Sequence, residues 1–207
     1  AWHAWELGEI YRLMGDIHTA REHYQQALPF FEAIQDYVGL GFYYRGLGDI
    51  AMLQEDWEEA RQWYQQALAV QEKEQRSLRT WGLAFYHARL GTALVRLGNF
   101  SEARQHLLGA LSLAETWVFP DLKALPLTGI ASLLAATGFP AQAIEAAACV
   151  ASQPTTWNEV KKQAKAVLAA AQAALPAADA QLAHERGEVA SIDTLCRLYL
   201  DHPLLSS

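Results

Sequence analysis

Cysteine is nearly absent: Cys149 and Cys196 are the only two in 207 residues. They stand far apart in the sequence, in apolar surroundings. Neither a metal-ligand spacing nor a redox pair is present, so both read as buried thiols acting as small hydrophobes. Positive charge is also short. Lys and Arg number 16 against 23 Asp and Glu, a formal charge of −7, whereas a nucleic-acid surface needs a cationic face. No run of ~18 apolar residues occurs, so no membrane-spanning helix is expected. The basic, apolar and small-residue succession of a secretory signal is missing too, and a cytoplasmic place is expected. The chain opens on Ala1-Trp2-His3 without a methionine, in what already reads as helix. It is expected to be a segment of a longer protein.

Catalytic patterns are missing as well. The histidines (His3, His18, His23, His87, His106, His184, His202) do not form an H-E-x-x-H spacing. His23 and His106 fall at equivalent points of two outer helices and are expected at the surface. No Gly-rich phosphate loop is visible, since Gly39-Leu40-Gly41 falls within a helical stretch. Glu72-Lys73-Glu74 reads as a solvated helix end. No Ser/His/Asp or Cys/His grouping stands out. The expectation is a non-enzymatic chain without metal or cofactor.

What is present is a repeat. Tyr24-Gln25-Gln26-Ala27-Leu28 returns as Tyr64-Gln65-Gln66-Ala67-Leu68, 40 residues later, each behind an Ala-Arg pair. Aligned on it, the copies carry Leu7-Gly8, Tyr11, Ala20, Tyr24 and Ala27; then Leu47-Gly48, Ala51, Ala60, Tyr64 and Ala67. A third has Leu90-Gly91, Leu94, Ala103, Leu107 and Ala110, and a weaker fourth has Ile130-Ala131, Leu134, Ala143 and Ala147. Successive steps are 40, 43 and 40 residues. This resembles the tetratricopeptide pattern, L-G-x2-Y … A-x3-F, whose usual period is about 34 residues. Small residues let two antiparallel helices approach, and the large ones fill the space between them. The surplus length corresponds to about one added turn on each flanking helix.

The local signals agree with helix pairs. Gly15-Asp16 ends one helix and caps the next. Asp56-Trp57-Glu58-Glu59 and Asn99-Phe100-Ser101-Glu102 read as capping boxes. Pro140 suits a first turn, whereas Pro29 is expected to end or kink its helix. Pro126 is expected to start or kink the first helix of the fourth copy. Beyond the repeats, Thr155-Thr156-Trp157 opens a helix of about five turns that stops before Pro176. Two shorter helices follow, near 177–186 and 191–200, the second capped by Ser191. The expected fold is therefore all-α: a tetratricopeptide-type right-handed solenoid with long repeats. Residues 1–151 form four helix pairs, and 152–207 form a C-terminal helix with capping helices.

Three further stretches carry a family resemblance: Gly129-Ile130-Ala131 leading to Thr137-Gly138-Phe139-Pro140-Ala141-Gln142-Ala143, then Thr156-Trp157-Asn158-Glu159-Val160, then Ala183-His184-Glu185-Arg186-Gly187-Glu188. With the long repeats they resemble the C-terminal region of bacterial signal-transduction ATPases with numerous domains, maltose-type transcription activators among them. The resemblance implies a sensor that binds an inducer or protein partner. It also implies an intramolecular contact with an N-terminal nucleotide-binding switch that the sensor restrains. No ATPase motif lies in this segment.

The first helix of each pair is expected to line the concave face, with a stripe left over after packing. That stripe contains Trp2, Trp5, Glu9 and Arg12; Phe42, Arg45 and Asp49; Phe85 and Thr92, with Arg89 and Arg96 one position round; and Asn158, Lys162 and Lys165. Aromatic anchors with six basic and two acidic residues suit a peptide, a protein or a small anionic inducer. The residues also fit a solvated face or packing between helices. A constitutive scaffold without switching is the alternative reading. The asparagine-lysine clamp of chaperone-cofactor repeats is not expected, because Asn99 and Asn158 are the only asparagines.

Overall fold

Helices account for nearly all of the chain because every copy of the repeat supplies its own start and stop. The computed structural model describes residues 1–73, 80–115 and 120–201, and among these it contains eleven helices and no strand. They are α1 (Trp2–Met14), α2 (Ile17–Ala33), α3 (Tyr37–Leu53), α4 (Trp57–Gln71), α5 (Thr80–Arg96), α6 (Phe100–Glu115), α7 (Pro120–Ala136), α8 (Pro140–Ser152), α9 (Asn158–Gln172), α10 (Ala177–Val189) and α11 (Ile192–Asp201). Two compact units result, Ala1–Tyr86 and His87–Ser207, with the division inside α5. Glu74 and His202 lie outside the described residues.

The turns fall where the sequence reads them, but the expected capping box at Asp56–Glu59 is only half made. Gly15 adopts φ 84°, and the Asp16 carboxylate accepts the Thr19 N–H at 3.1 Å. Gly98 and Gly138 repeat that left-handed turn, while the second copy places Glu55 there at φ 58°. Asp56 caps α4 through the Glu59 N–H at 3.0 Å. Its own N–H goes to the Ala51 carbonyl. The Glu59 side chain reaches the indole N–H of Trp63 and the guanidinium of Arg21 instead of closing a capping box. Pro140 occupies the first turn of α8, and the Ser191 hydroxyl accepts the Thr194 N–H at 3.0 Å to start α11.

Three expectations need correction. α2 does not end at Pro29 but continues to Ala33. Pro29 is exposed, so its missing N–H disturbs a solvent-side turn, and Phe31 is fully buried two residues later. Burying such a ring contributes about 2–3 kcal/mol, comparable to the cost of about 3 kcal/mol for an interior proline. α7 does not start at Pro126, which lies inside it; Pro120 is its first residue. α9 spans 15 residues, about four turns rather than five.

In the first unit α1 packs on α2, α2 on α3 and α3 on α4. Tyr24 and Tyr64 are fully buried, and each meets a glycine of the preceding helix. A Cβ on Gly8 would lie 2.4 Å from the Tyr24 ring, and one on Gly46 would lie 2.6 Å from the same ring on its α3 side. Only a residue without a side chain allows that approach. In the second unit α7 packs on α6, and α8 packs on α7, α9 and α10. α11 lies against α6, α7 and α8, fastened by Lys123 to Asp193 at 2.7 Å and by the Tyr199 hydroxyl to the Gln142 carbonyl. Cys149 and Cys196 are buried there, and burial pushes their thiols up to about 11 and about 12. They are inert packing residues, as the sequence reads.

Candidate functional site

Positions 5, 9 and 12 of α1 share one helical stripe, as do 42, 45 and 49 of α3. Gly8, Gly46 and Gly48 bring these helices close to the tyrosines of α2 and α4, and the two stripes converge. In the first unit the Arg45 guanidinium sits over three rings: Trp5 at 5.0 Å, Phe42 at 4.8 Å and Phe85 of α5 at 5.3 Å. Each such contact contributes about 0.5–2 kcal/mol, more as water is excluded. Arg45 also donates to Glu9 at 2.9 Å and lies 3.9 Å from Asp49. Glu9 accepts from Arg12 as well, at 3.2 and 3.3 Å. Arg12 and Asp49 are buried, 6% and 3% exposed. The Trp5 indole N–H donates to the Phe42 carbonyl at 3.1 Å. Trp2 closes the edge of this pile against Trp5, Phe31 and Phe42, and it is 39% exposed.

Two cations and two anions thus stand together, and the group is close to neutral. The expected cationic surface is here an internally paired network. Sequence reasoning missed what completes it. The Tyr24 hydroxyl donates to Glu9, and the Tyr64 hydroxyl donates to Asp49 at 2.6 Å. These pairs are one repeat apart, 9 with 24 and 49 with 64. In the third copy the same positions hold Thr92 and Leu107, in the fourth Ser132 and Ala147. The Thr92 and Ser132 hydroxyls donate to carbonyls one turn back, of Ala88 and Thr128. Where the buried tyrosine is absent, so is the acid. A buried phenol needs a partner, and burial beside the Glu9 carboxylate raises the Tyr24 pKa well above its ordinary value.

The remaining expected residues lie in the second unit. Arg89 is 3% exposed and donates to Glu159 at 2.8 Å and Gln163 at 3.2 Å, both on α9. Thr92 is half-buried, and Arg96 is exposed. Asn158, Lys162 and Lys165 are exposed on α9, about a quarter to two-fifths of a turn round from the 159/163 face that meets Arg89. Glu159 and Gln163 were not among the expected site residues. Their spacing of four, opposite a buried arginine, is the signal that points to them.

His106 does not lie free at the surface as expected. His106 and His87 stack with ring centroids 5.0 Å apart, and their Nδ1 atoms are 2.8 Å apart. His23 is likewise half-buried, stacked on Tyr11 at 5.3 Å. At 2.8 Å one Nδ1 donates and the other accepts, so the accepting ring is neutral and the two rings are not both protonated in this arrangement. Desolvation by burial, then the charge of His106, lowers the His87 pKa to about 4. Burial lowers that of His106, against an opposing pull from Glu102. The folded state resists protonation here. Stability from this pair is therefore complete above the unfolded histidine pKa, near 6.5, and falls as the pH drops toward 4. Thermal melts at pH 7 and pH 4.5 are expected to differ less for His87→Leu, which introduces the residue found at position 127 of the fourth copy. An unchanged difference between the two melts counts against the pairing.

Among the described residues, no group of three or more His, Cys, Asp or Glu side chains could hold a metal, and no helix is long and apolar enough to cross a membrane. The tetratricopeptide repeat family model matches residues 1–73, the stretch that carries α1 to α4 and both acid–tyrosine pairs. A comparison with curated proteins finds no match.

Proposed function

We propose, from a chain whose first 73 residues match the tetratricopeptide repeat, that its first-helix face takes a protein or peptide partner through an aromatic edge. Tetratricopeptide repeats are protein–protein interaction modules, and that coarse role holds for the matched stretch. The observation that narrows it is the pairing of the three least exposed cations of the stripe, Arg96, Lys162 and Lys165 being exposed. Arg12 and Arg45 are bonded to Glu9, and Arg89 to Glu159. A small anion has to compete with these carboxylates. A peptide instead gains from the partly exposed Trp2 and the rings behind it, an amphipathic anchor of the kind enriched at binding hot spots.

The finer reading is that binding here reports to an attached N-terminal nucleotide-binding switch in a bacterial cytoplasmic protein. The resemblance of the Thr156-Trp157-Asn158 and His184-Glu185-Arg186-Gly187 stretches to signal-transduction ATPases supports it. Such a sensor must bind its inducer more tightly in one state of the switch, about 10⁴-fold for a full reversal of the population.

A peptide array probed with the chain and with Trp2→Ala tests the contact face. Retained peptides are expected to weaken at least about tenfold, a loss of about 1.4 kcal/mol, while the far-ultraviolet spectrum is unchanged. Binding indifferent to Trp2→Ala, and also to Arg45→Ala and Arg89→Ala, places the interface elsewhere. Equal affinity in both nucleotide states of a longer chain supports a constitutive scaffold instead.

A further inference from the structure

His87 of α5 and His106 of α6 occupy two positions that recur in every copy of the repeat. Their counterparts are Ala4 and His23 in the first copy, Tyr44 and Trp63 in the second, and Leu127 and Ala146 in the fourth. Tyr44 stacks on Trp63 with centroids 5.9 Å apart, and Leu127 and Ala146 are fully buried. At this point the scaffold needs bulk between paired helices, and the second and fourth copies supply it without an imidazole. Two half-buried imidazoles cost more than such a pair, because polar groups lose water on burial. Packing alone does not account for them.

Their geometry suits a ligand. The two Nδ1 atoms converge to 2.8 Å. An imidazole nitrogen stands about 2.0–2.1 Å from a divalent metal ion, so two on one ion are about 2.8–3.0 Å apart at a right angle and about 3.3–3.4 Å apart at the tetrahedral angle. The observed separation matches the right angle, which Cu(II) and Ni(II) prefer among nitrogen and oxygen donors. One turn before His106, the Glu102 carboxylate lies 3.8 Å from Nε2, the other ring nitrogen. A carboxylate on that side favours the tautomer whose Nδ1 lone pair is free to ligate. The geometry points to a two-histidine site for a divalent transition-metal ion of the Cu(II) class, held by Nδ1 of His87 and Nδ1 of His106. Among the described residues no third His, Cys, Asp or Glu joins them, so water fills the remaining positions. The proton that one Nδ1 carries between the rings moves to Nε2 of the same ring by exchange with water, and the ion takes the freed lone pair. An ion so held ties α5 to α6.

The test measures Cu(II) binding at neutral pH in a chain carrying His3→Ala, since a histidine third from an amino terminus binds this ion by itself. One Cu(II) per chain is expected, with two imidazole nitrogens in its electron paramagnetic resonance spectrum. His87→Tyr with His106→Trp installs the pair of the second copy and is expected to leave the far-ultraviolet spectrum unchanged while weakening binding at least about tenfold. His106→Gln keeps the imidazole at 87 and is expected to remove one of the two nitrogens from the spectrum. Undiminished binding in the double variant overturns the proposal. So does a spectrum of the His3→Ala chain without two imidazole nitrogens, or one that His106→Gln leaves unaltered. Absence of binding at about 1 mM Cu(II), the weakest range of specific affinity, overturns it as well.

Discussion

Replacing Glu9 with alanine is expected to destabilise the first unit by about 3–5 kcal/mol, read as a fall in the urea midpoint at constant slope. One carboxylate holds three donors there: Arg12, Arg45 and the Tyr24 hydroxyl. Its loss takes a shared carboxylate from two guanidinium groups that are 6% and 12% exposed. It also removes the acceptor of a buried phenol, a further 1–3 kcal/mol in kind. Glu9→Gln keeps an acceptor for Tyr24 and is expected to lose less. The cycle through Tyr24→Phe separates the two effects. Glu9 and Tyr24 should couple by about 1 kcal/mol or more, because they share one bond. A cost below about 1 kcal/mol for Glu9→Ala would show that the charges behave as a solvated surface pair.

The sequence made the scaffold legible because its determinants are local or periodic. Leu7-Gly8 and Tyr24 repeat at fixed spacing, and Asp16, Asp56 and Pro140 act within one turn of where they stand. The site was legible only in part, because the stripe was read one column at a time. Taken singly, Arg12 and Arg45 read as available cations, whereas their pairing depends on how α1 and α3 approach each other around Tyr24. Read jointly, the columns disclose it: Glu9 with Tyr24, Asp49 with Tyr64, Thr92 with Leu107, Ser132 with Ala147. The acid belongs to the tyrosine before it belongs to any ligand. Pro29 and His106 failed for the opposite reason, since a local rule was applied where packing decides. Phe31, buried beyond the proline, keeps α2 going, and His87 on the facing helix turns His106 into a partner rather than a surface group.

Gly46→Val is expected to lose about 3 kcal/mol, at the upper end for overpacking a core. Tyr24 lies between Gly8 of α1 and Gly46 of α3, and a Cβ at 46 would approach its ring carbons to 2.6 and 2.8 Å. The ring has no free direction to yield. It is fully buried, and its hydroxyl is fixed to Glu9. Glycine in a helix costs about 0.5–1 kcal/mol relative to alanine, so a loss on Gly46→Ala would itself show that the contact outweighs the gain in propensity. Gly109 in α6 provides the control: nothing lies within 4 Å of its added Cβ, and Gly109→Ala is expected to raise stability by about 0.5–1 kcal/mol. Tyr24→Leu should rescue Gly46→Val in part, because leucine lacks the Cε2, Cζ and hydroxyl atoms that the added Cβ would meet. A double variant no more stable than Gly46→Val alone would locate the strain in the α2–α3 backbone approach rather than in the ring.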